Sequence, residues 1–600
     1  MISKIRPFLF FLVISCLHLN LVFSQIPTID ALPLNYNIED LKDSSSLNFS
    51  DYRRNFAMRK IGYYDNLISR FNYQSFNTLD FDFGIPSFYG YTHQKFIYGK
   101  LDTLKAISNL QFVLGTKREQ LLFLDHKQRL GKYLTAAFSY HSLVTEGFYK
   151  HSFAKSKAIN GEIEYSSSNY SFLVFANFNN LESNEYGGII TEKQLNGLSK
   201  NELVQFAVNL PSDSRKNKRN FYGIKQNLNL FNLRNDSLRK DQLLLNFDIL
   251  LDKTAFNYRG VVGDYYQNSF LDSVNTNDTL GYINLTSLVQ LKYLNITKWN
   301  KFEFNIGFER NDLDLLIYTL TPEFFDYTFK VNSDFQSKKF KAYLNSSLIF
   351  GDSYRSEQTI QNLFVQYNVN DKILSEIYGA VSYNRTAAPY TYLSFVSNNF
   401  IWNNNYNKLA AKTGANLGVS LFKNFVRINF ATNSYENRYF VSTSAIPEQS
   451  IKIEQLSSIE LEINKSFGKI YFTSISCYSK SNSIYFPVPE LRNETSISFR
   501  NKFFKQALNA EIGLTGVYTS SWFAPAYMPA TGLFYLQNSL KVEGAPVLHF
   551  FANLGIKSAT IFIRVERLNY GVLGSEYYYA PGYAAPPRTL KFGVFWRLKN

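Results

Sequence analysis

Carboxylates placed on the same alternating positions are the first feature of this chain that could do chemistry. Glu303 and Glu309 stand six residues apart, and Glu460 and Glu462 two apart. Glu511 stands alone, and Arg564 is followed two residues later by Glu566. Paired carboxylates can serve as acid and base, or hold a cation, or line an aqueous path. His141 and His151 are the only histidines after the N-terminus that lie close in sequence. A metal site needs several convergent ligands, so they predict no metal centre. H-E-x-x-H, G-x-S-x-G, C-x-x-C and phosphate-loop patterns are all missing from the sequence, and no catalytic residue or cofactor is predicted.

The segments that carry these residues decide among those uses. In Lys301–Arg310, Phe302, Phe304, Ile306 and Phe308 alternate with Glu303, Asn305, Gly307 and Glu309. Ile459, Leu461 and Ile463 alternate with Glu460, Glu462 and Asn464, and Ile561, Ile563 and Val565 with Phe562, Arg564 and Glu566. Leu508, Ala510, Ile512 and Leu514 flank Asn509, Glu511 and Gly513 in the same way. A period of two puts the apolar set on one face of a strand and the charged set on the other. The final stretch repeats it: Leu590, Phe592, Val594, Trp596 and Leu598 against Lys591, Gly593, Phe595, Arg597 and Lys599. A soluble sandwich with this stretch at its edge would show the same alternation locally. The connections separate the two readings. Ser166–Asn169 and Phe422–Phe425 are tight, whereas Asn180–Asn220, Thr254–Gly281, Tyr435–Ile451 and Leu568–Pro587 are long and polar. Short turns at one rim and long loops at the other belong to a transmembrane antiparallel β-barrel of the outer-membrane type, with short periplasmic turns and long extracellular loops. About ten residues per strand gives roughly 16–22 strands. With 18 strands such a barrel is roughly 35 Å across, too wide for side chains alone to fill, so it needs water, folded-in loops or a plug.

Composition agrees. Of 600 residues 17% are aromatic, with 55 Phe and 43 Tyr, which suits interfacial girdles on a barrel wall. After the N-terminus no apolar run approaches the ~18 residues of a membrane-spanning helix, and mean hydropathy is −0.21. Residues 1–24 read as a cleaved signal peptide, with Lys4 and Arg6 ahead of an apolar stretch that closes on Val22-Phe23-Ser24, so the mature chain starts at Gln25. A rival cut before Cys16 would make a lipoprotein. Residues 25–108 are less regular and read as a periplasmic or plug-like segment, and 109–600 as the barrel. The formal charge is +15. Its densest cluster, Arg215–Arg219, reads as a polar loop, and without a binding motif around it no nucleic-acid partner is expected.

Two stretches resemble the outer-membrane porin family of Bacteroidetes. Within Asn109–Tyr149 a glycine (Gly115), an E-Q pair (Glu119-Gln120), an H-x-Q element (His126, Gln128) and Glu146-Gly147-Phe148-Tyr149 follow in order. Tyr579–Leu598 is similar to the family's closing pattern through Pro587-Arg588, Phe592-Gly593 and Trp596-Arg597. The family usually stops soon after W-R on an aromatic, whereas here Leu598-Lys599-Asn600 follow. The resemblance implies a channel in the Gram-negative outer membrane that passes small hydrophilic solutes, in contact with outer-membrane lipid. Phe592, Trp596 and Leu598 are then the expected signal for the barrel-assembly machinery. Glu303, Glu309, Glu460, Glu462, Glu511, Arg564 and Glu566 are the expected lumen-facing residues. The positive balance favours anions mildly, while these acidic positions work against that preference. A barrel that is no pore, acting as an adhesin or as the anchor of a secretion or uptake complex, is the alternative.

Overall fold

The computed structural model describes Gly84 and residues 106–190, 205–235, 239–318, 320–369, 371–406, 408–542, 544, 546–572 and 578–599. Residues 1–24, read as a signal peptide, lie outside the described residues, as does all of the segment read as 25–108 except Gly84 and residues 106–108. Alternation begins two residues earlier than the sequence reading has it, with β1 (Ile107–Gly115). Then come β2 (Glu119–Arg129), β3 (Leu134–Thr145), β4 (Ala154–Ser166), β5 (Tyr170–Asn184), β6 (Ser214–Asn235), β7 (Arg239–Val261) and β8 (Asn275–Thr297). The meander continues through β9 (Asn300–Ile317), β10 (Glu323–Ser337), β11 (Phe340–Phe350), β12 (Thr359–Asn368), β13 (Leu374–Thr386), β14 (Ala410–Leu421) and β15 (Val426–Glu436). It ends with β16 (Glu454–Phe467), β17 (Ile470–Ser481), β18 (Leu491–Phe503), β19 (Leu508–Thr519), β20 (Val547–Ile556), β21 (Ala559–Glu566) and β22 (Thr589–Lys599).

Each strand pairs antiparallel with the next, and β22 pairs back onto β1 from Ile107↔Lys599 to Gly115↔Lys591. The result is one closed 22-stranded sheet. Closure leaves no edge with unpaired backbone groups, the condition for strands to cross a bilayer. The period of two sorts the side chains. On β21, Ile561 and Ile563 are exposed while Phe562, Arg564 and Glu566 are buried; on β9, Ile306 and Phe308 are exposed and Glu309 and Asn311 buried. The exposed apolar set is the outer face and the polar set the inner one.

The two rims differ as expected, with shorter loops than the sequence reading drew. Tight connections at one rim include 167–169, 298–299, 338–339, 468–469 and 557–558. Long ones at the other are 185–213, 262–274, 387–409, 437–453, 520–546 and 567–588. The flanks assigned to loops at Asn180–Asn220 and Thr254–Gly281 are strand. Arg215–Arg219 therefore lies in β6 and not in a polar loop. Three of its four cations are held by carboxylates of the neighbouring strands and loop: Arg215 by Glu185, Lys216 by Glu182 and Arg219 by Asp252. Pairing converts a charge-dense stretch into an ordinary strand, which a reading of composition does not reveal.

Four glycines on the inner face take a ring from the neighbouring strand. Gly223 faces Phe175, Gly418 faces Tyr378, Gly513 faces Phe551 and Gly593 faces Phe562, each pair directly opposite in register. A Cβ would lie 2.3, 2.1, 2.5 and 2.6 Å respectively from the ring. The buried ring packs over a backbone without a side chain, a device that pins register.

Candidate functional site: the inner wall and the loop layer

The polar faces of the strands bring most of the expected charged residues onto the inner wall, and each of those with a resolved contact has a counterion or an amide. Lys292 and Lys301 hold Glu303 at 2.5 and 3.2 Å. Lys330 holds Glu309 at 2.5 Å. Arg427 bonds Glu462 at 3.2 Å across the β15–β16 pair. Glu511 accepts from Arg500 and Ser498, both at 2.9 Å, and from Asn553 at 3.3 Å. Glu460 stands opposite Asn429 and Cys477. Arg564 donates to Asn553 at 2.7 Å and lies between the rings of Phe551 and Phe562. Glu566 accepts from Thr589 at 3.0 Å and pairs with Lys591 at 3.1 Å.

The seven therefore do not form one centre; they are spread over four strands, β9, β16, β19 and β21. The cations that neutralise them, Lys292, Lys330, Arg427, Arg500 and Lys591, are absent from the expected set. Lys591 was within reach of the sequence, since it stands on the polar positions of the last strand. The others needed register, because each meets its carboxylate from another strand, directly opposite or one diagonal step away.

Lys591 is the tightest node. Its side chain is only 2% exposed and bridges Glu119 of β2 at 3.2 Å and Glu566 of β21 at 3.1 Å. One cation thus ties three strands across the seam where the barrel closes. Val113, Leu121, Leu143 and Phe562 form a small inner apolar cluster at the same seam. On the outer face Phe592, Trp596 and Leu598 are exposed, and Trp596 donates to Ser558 at 3.2 Å. Of the H-x-Q element, His126 lies 2.8 Å from Ser108 and 3.4 Å from Gln128, bracing β1 against β2. His141 and His151 go separate ways: the first meets the Phe123 ring edge on, the second bonds the Asp213 carbonyl at 2.6 Å.

The long loops fold inward over this wall. Inner residues of β5 and β7–β9 (Leu181, Phe256, Tyr282, Leu313, Leu315) pack against Phe395, Trp402, Val441 and Leu533 from three loops. A second core joins Phe148, Tyr186, Trp522, Tyr527 and Tyr583 from four loops. Buried polar junctions hold the layer in place. Arg215 pairs with Glu185 at 3.3 Å and donates to the Pro529 carbonyl. Tyr258 donates to Asp213 and lies 2.9 Å from the Tyr266 hydroxyl, which accepts from the Ala530 amide at 3.1 Å. Burial pushes the Glu185 and Asp213 carboxyls above the usual range, against the pull of Arg215 on the first and the Tyr258 hydroxyl on the second. Asn398 accepts from the Leu271 and Asp272 amides and donates to Thr276 at 3.0 Å, joining loop 387–409 to loop 262–274. Gly84 is buried against Pro389 and Thr391 of the same loop, where φ is +90° and a Cβ would fall 2.4 Å from Thr391 Oγ1. Apart from Phe148 and Tyr583, which fall in the stretches that carry the family resemblance, and Arg215 of the basic cluster, none of these residues stood out in the sequence, because loop packing leaves no periodic signal.

This architecture has many solved counterparts. The ferripyoverdine receptor of the Pseudomonas aeruginosa outer membrane matches with a TM-score of 0.54 at 12% identity, over 83% of this chain and 72% of that one. A mutant ferric enterobactin receptor from the same organism, in complex with enterobactin, gives 0.60 at 11% identity, over 83% and 82%. The siderophore receptor PirA from Acinetobacter baumannii gives 0.57 at 10% identity, over 83% and 81%. At such identities the likeness is one of fold, an outer-membrane barrel. No curated protein matches the chain. A family model described as "Putative porin" matches residues 40–600, and with nearly the whole chain inside that match this protein belongs to the porin family so described.

Proposed function

We propose that this barrel is a passive outer-membrane channel for small hydrophilic solutes, with the loop layer setting the size limit. The observation that carries the reading is the inner wall: polar along many strands and studded with ion pairs, in a sheet too wide for its own side chains to fill. Twenty-two strands make a barrel roughly 40–45 Å across. Glu303, Glu309, Glu460, Glu462, Glu511, Arg564 and Glu566 line the path in this reading. Because cations stand beside the carboxylates, the wall offers no bare acidic ring to oppose a mild preference for anions. Cleavage after Ser24, and a periplasmic or plug-like role for the segment ahead of β1, complete the proposal.

Specific uptake of a bound ligand is the second reading. It is favoured by the loop layer, whose two apolar cores and buried polar junctions are those of a built structure and not of loose loops. Single-channel recording in planar bilayers separates the two. The full-length barrel is expected to conduct steadily, and Arg215→Ala, which frees loop 520–546, to conduct more. Conductance seen only in the Arg215→Ala barrel would move the assignment to gated uptake. Silence from both, with heat-resistant folded barrel present, would reject the channel in favour of an anchor or adhesin. A cation-selective reversal potential under a salt gradient would overturn the selectivity alone.

A further inference from the structure

Among the described connections between strands, positive charge is not spread evenly over the two rims. The tight turns of the first half of the meander carry Lys132, Lys298, Lys338, Lys339 and Lys372; those of the second half carry Lys423, Lys469, Lys505 and Lys557. All are exposed, and the only acidic residue among the described tight-turn residues is Asp371. The long connections mix the two signs, with Glu146, Glu185, Asp213, Asp264 and Asp272 among Lys150, Arg355, Arg438 and Arg588. Eight separate turns have thus placed a lysine at the same rim.

Exposed aromatic and aliphatic residues share these turns. Leu130 and Tyr133 flank Lys132, Trp299 follows Lys298, Phe422 precedes Lys423 and Phe504 precedes Lys505. Trp299 is 66% and Phe504 78% exposed. Lys132 stands 5.0 Å from the Tyr133 ring centre and Lys298 5.0 Å from that of Trp299. Rings of this kind sit at headgroup depth, with an apolar body toward the acyl chains and a polar edge in water.

We infer that the tight-turn rim is a binding collar for anionic phospholipid headgroups of the adjoining leaflet, the periplasmic one in barrels of this type. A lysine at headgroup depth attracts an anionic headgroup, and aromatics beside it fix that depth. The arrangement favours a membrane over an acidic protein. The lysines recur on eight of the nine described tight turns of this rim, whereas a protein partner would touch one sector. They also alternate with apolar residues that a soluble polyanion would leave in water. The inference needs only the barrel fold and stands whether or not the lumen conducts.

The test uses the full-length folded protein in mixed phosphatidylcholine and phosphatidylglycerol bilayers, cut out as polymer-bounded discs and analysed for bound lipid. Each lysine favours an anionic headgroup beside it by up to about fivefold at low salt. The wild-type shell is expected to be enriched in phosphatidylglycerol over the bulk bilayer, less so in high salt. A variant with Lys132→Gln, Lys298→Gln, Lys423→Gln, Lys469→Gln, Lys505→Gln and Lys557→Gln, which keeps only Lys338, Lys339 and Lys372 of the collar, should lose most of the enrichment. A control with Lys150→Gln, Lys408→Gln, Lys452→Gln and Lys541→Gln on the long-loop side should keep it. Heat-modifiable migration on gels reports that all three are folded. Equal phosphatidylglycerol in wild type and the six-lysine variant, or equal loss in the control, overturns the collar. So does a wild type that shows no enrichment yet binds a soluble polyanion.

Discussion

At the scale of single residues the most consequential side chain is Lys591. It is almost wholly buried and answers two carboxylates, Glu119 and Glu566, from strands on either side of the closing one. Removing one partner from a buried ionic group leaves the others charged and unpaired, which costs about 3–5 kcal/mol. Lys591→Met is therefore expected to lower the unfolding free energy by about that much in urea titrations of the reconstituted barrel. Adding Glu119→Gln and Glu566→Gln should restore part of it, since the stranded charges are then gone. A single variant as stable as wild type would mean that the seam does not depend on this node. Glu119 belongs to the E-Q pair that carried the family resemblance, so a motif residue acquires a physical task here: it meets the last strand.

At the scale of elements, what holds neighbouring strands in register is the inward aromatic over an inward glycine. At Gly418 the nearest atoms to an added Cβ all belong to the Tyr378 ring. At Gly593 the nearest is the Phe112 carbonyl oxygen, at 2.4 Å, with the Phe562 ring next. Overpacking of this kind costs about 1–3 kcal/mol. Gly418→Ala should destabilise the barrel within that range, and Tyr378→Ala in the same chain should relieve it. Gly593→Ala should resist the matching rescue by Phe562→Ala, because backbone cannot swing aside as a ring can. Rescue at both sites, read from the same urea titrations, would show that the backbone gives way and that these rings are packing and not register pins.

At the scale of the whole molecule, closure is the event on which everything else depends. Nine register pairs join β22 to β1 and a further eight join it to β21. An open edge in lipid leaves backbone groups unsatisfied at several kcal/mol each. Deleting Leu590–Asn600 should accordingly leave no heat-resistant barrel in outer-membrane fractions, and wild-type amounts would count decisively against closure by this strand. A milder change, Trp596→Ala, removes an exposed outer residue and its bond to Ser558 without opening the ladder. It should slow assembly while leaving the barrels that do form as stable as wild type. Pulse-chase measurement of the folded fraction checks both.

The sequence by itself determined the class of fold, the sidedness of its connections and the sorting of side chains between two faces. The reason is that a period of two is written locally: Ile561, Phe562, Ile563 and Arg564 declare their faces with no knowledge of a partner strand. Its inward charges were legible for the same reason, and so was the closing strand. What only the tertiary structure decided is whatever depends on who stands next to whom. Arg215–Arg219 passed for a loop because four of five residues are basic, and became a strand once Glu185, Glu182 and Asp252 were beside it. Apart from Lys301, two residues before Glu303 on the same strand, the counterions of Glu303, Glu309, Glu462 and Glu511 come from neighbouring strands, at distances that no spacing within one segment encodes. The loop layer was least visible of all. Phe395, Trp402, Leu533 and Tyr583 look in sequence like scattered aromatics and aliphatics, because a core assembled from separate loops has no period to read. The ring of lysines had the opposite character: each was plain in its own turn, and the collar existed only after closure brought the turns to one rim.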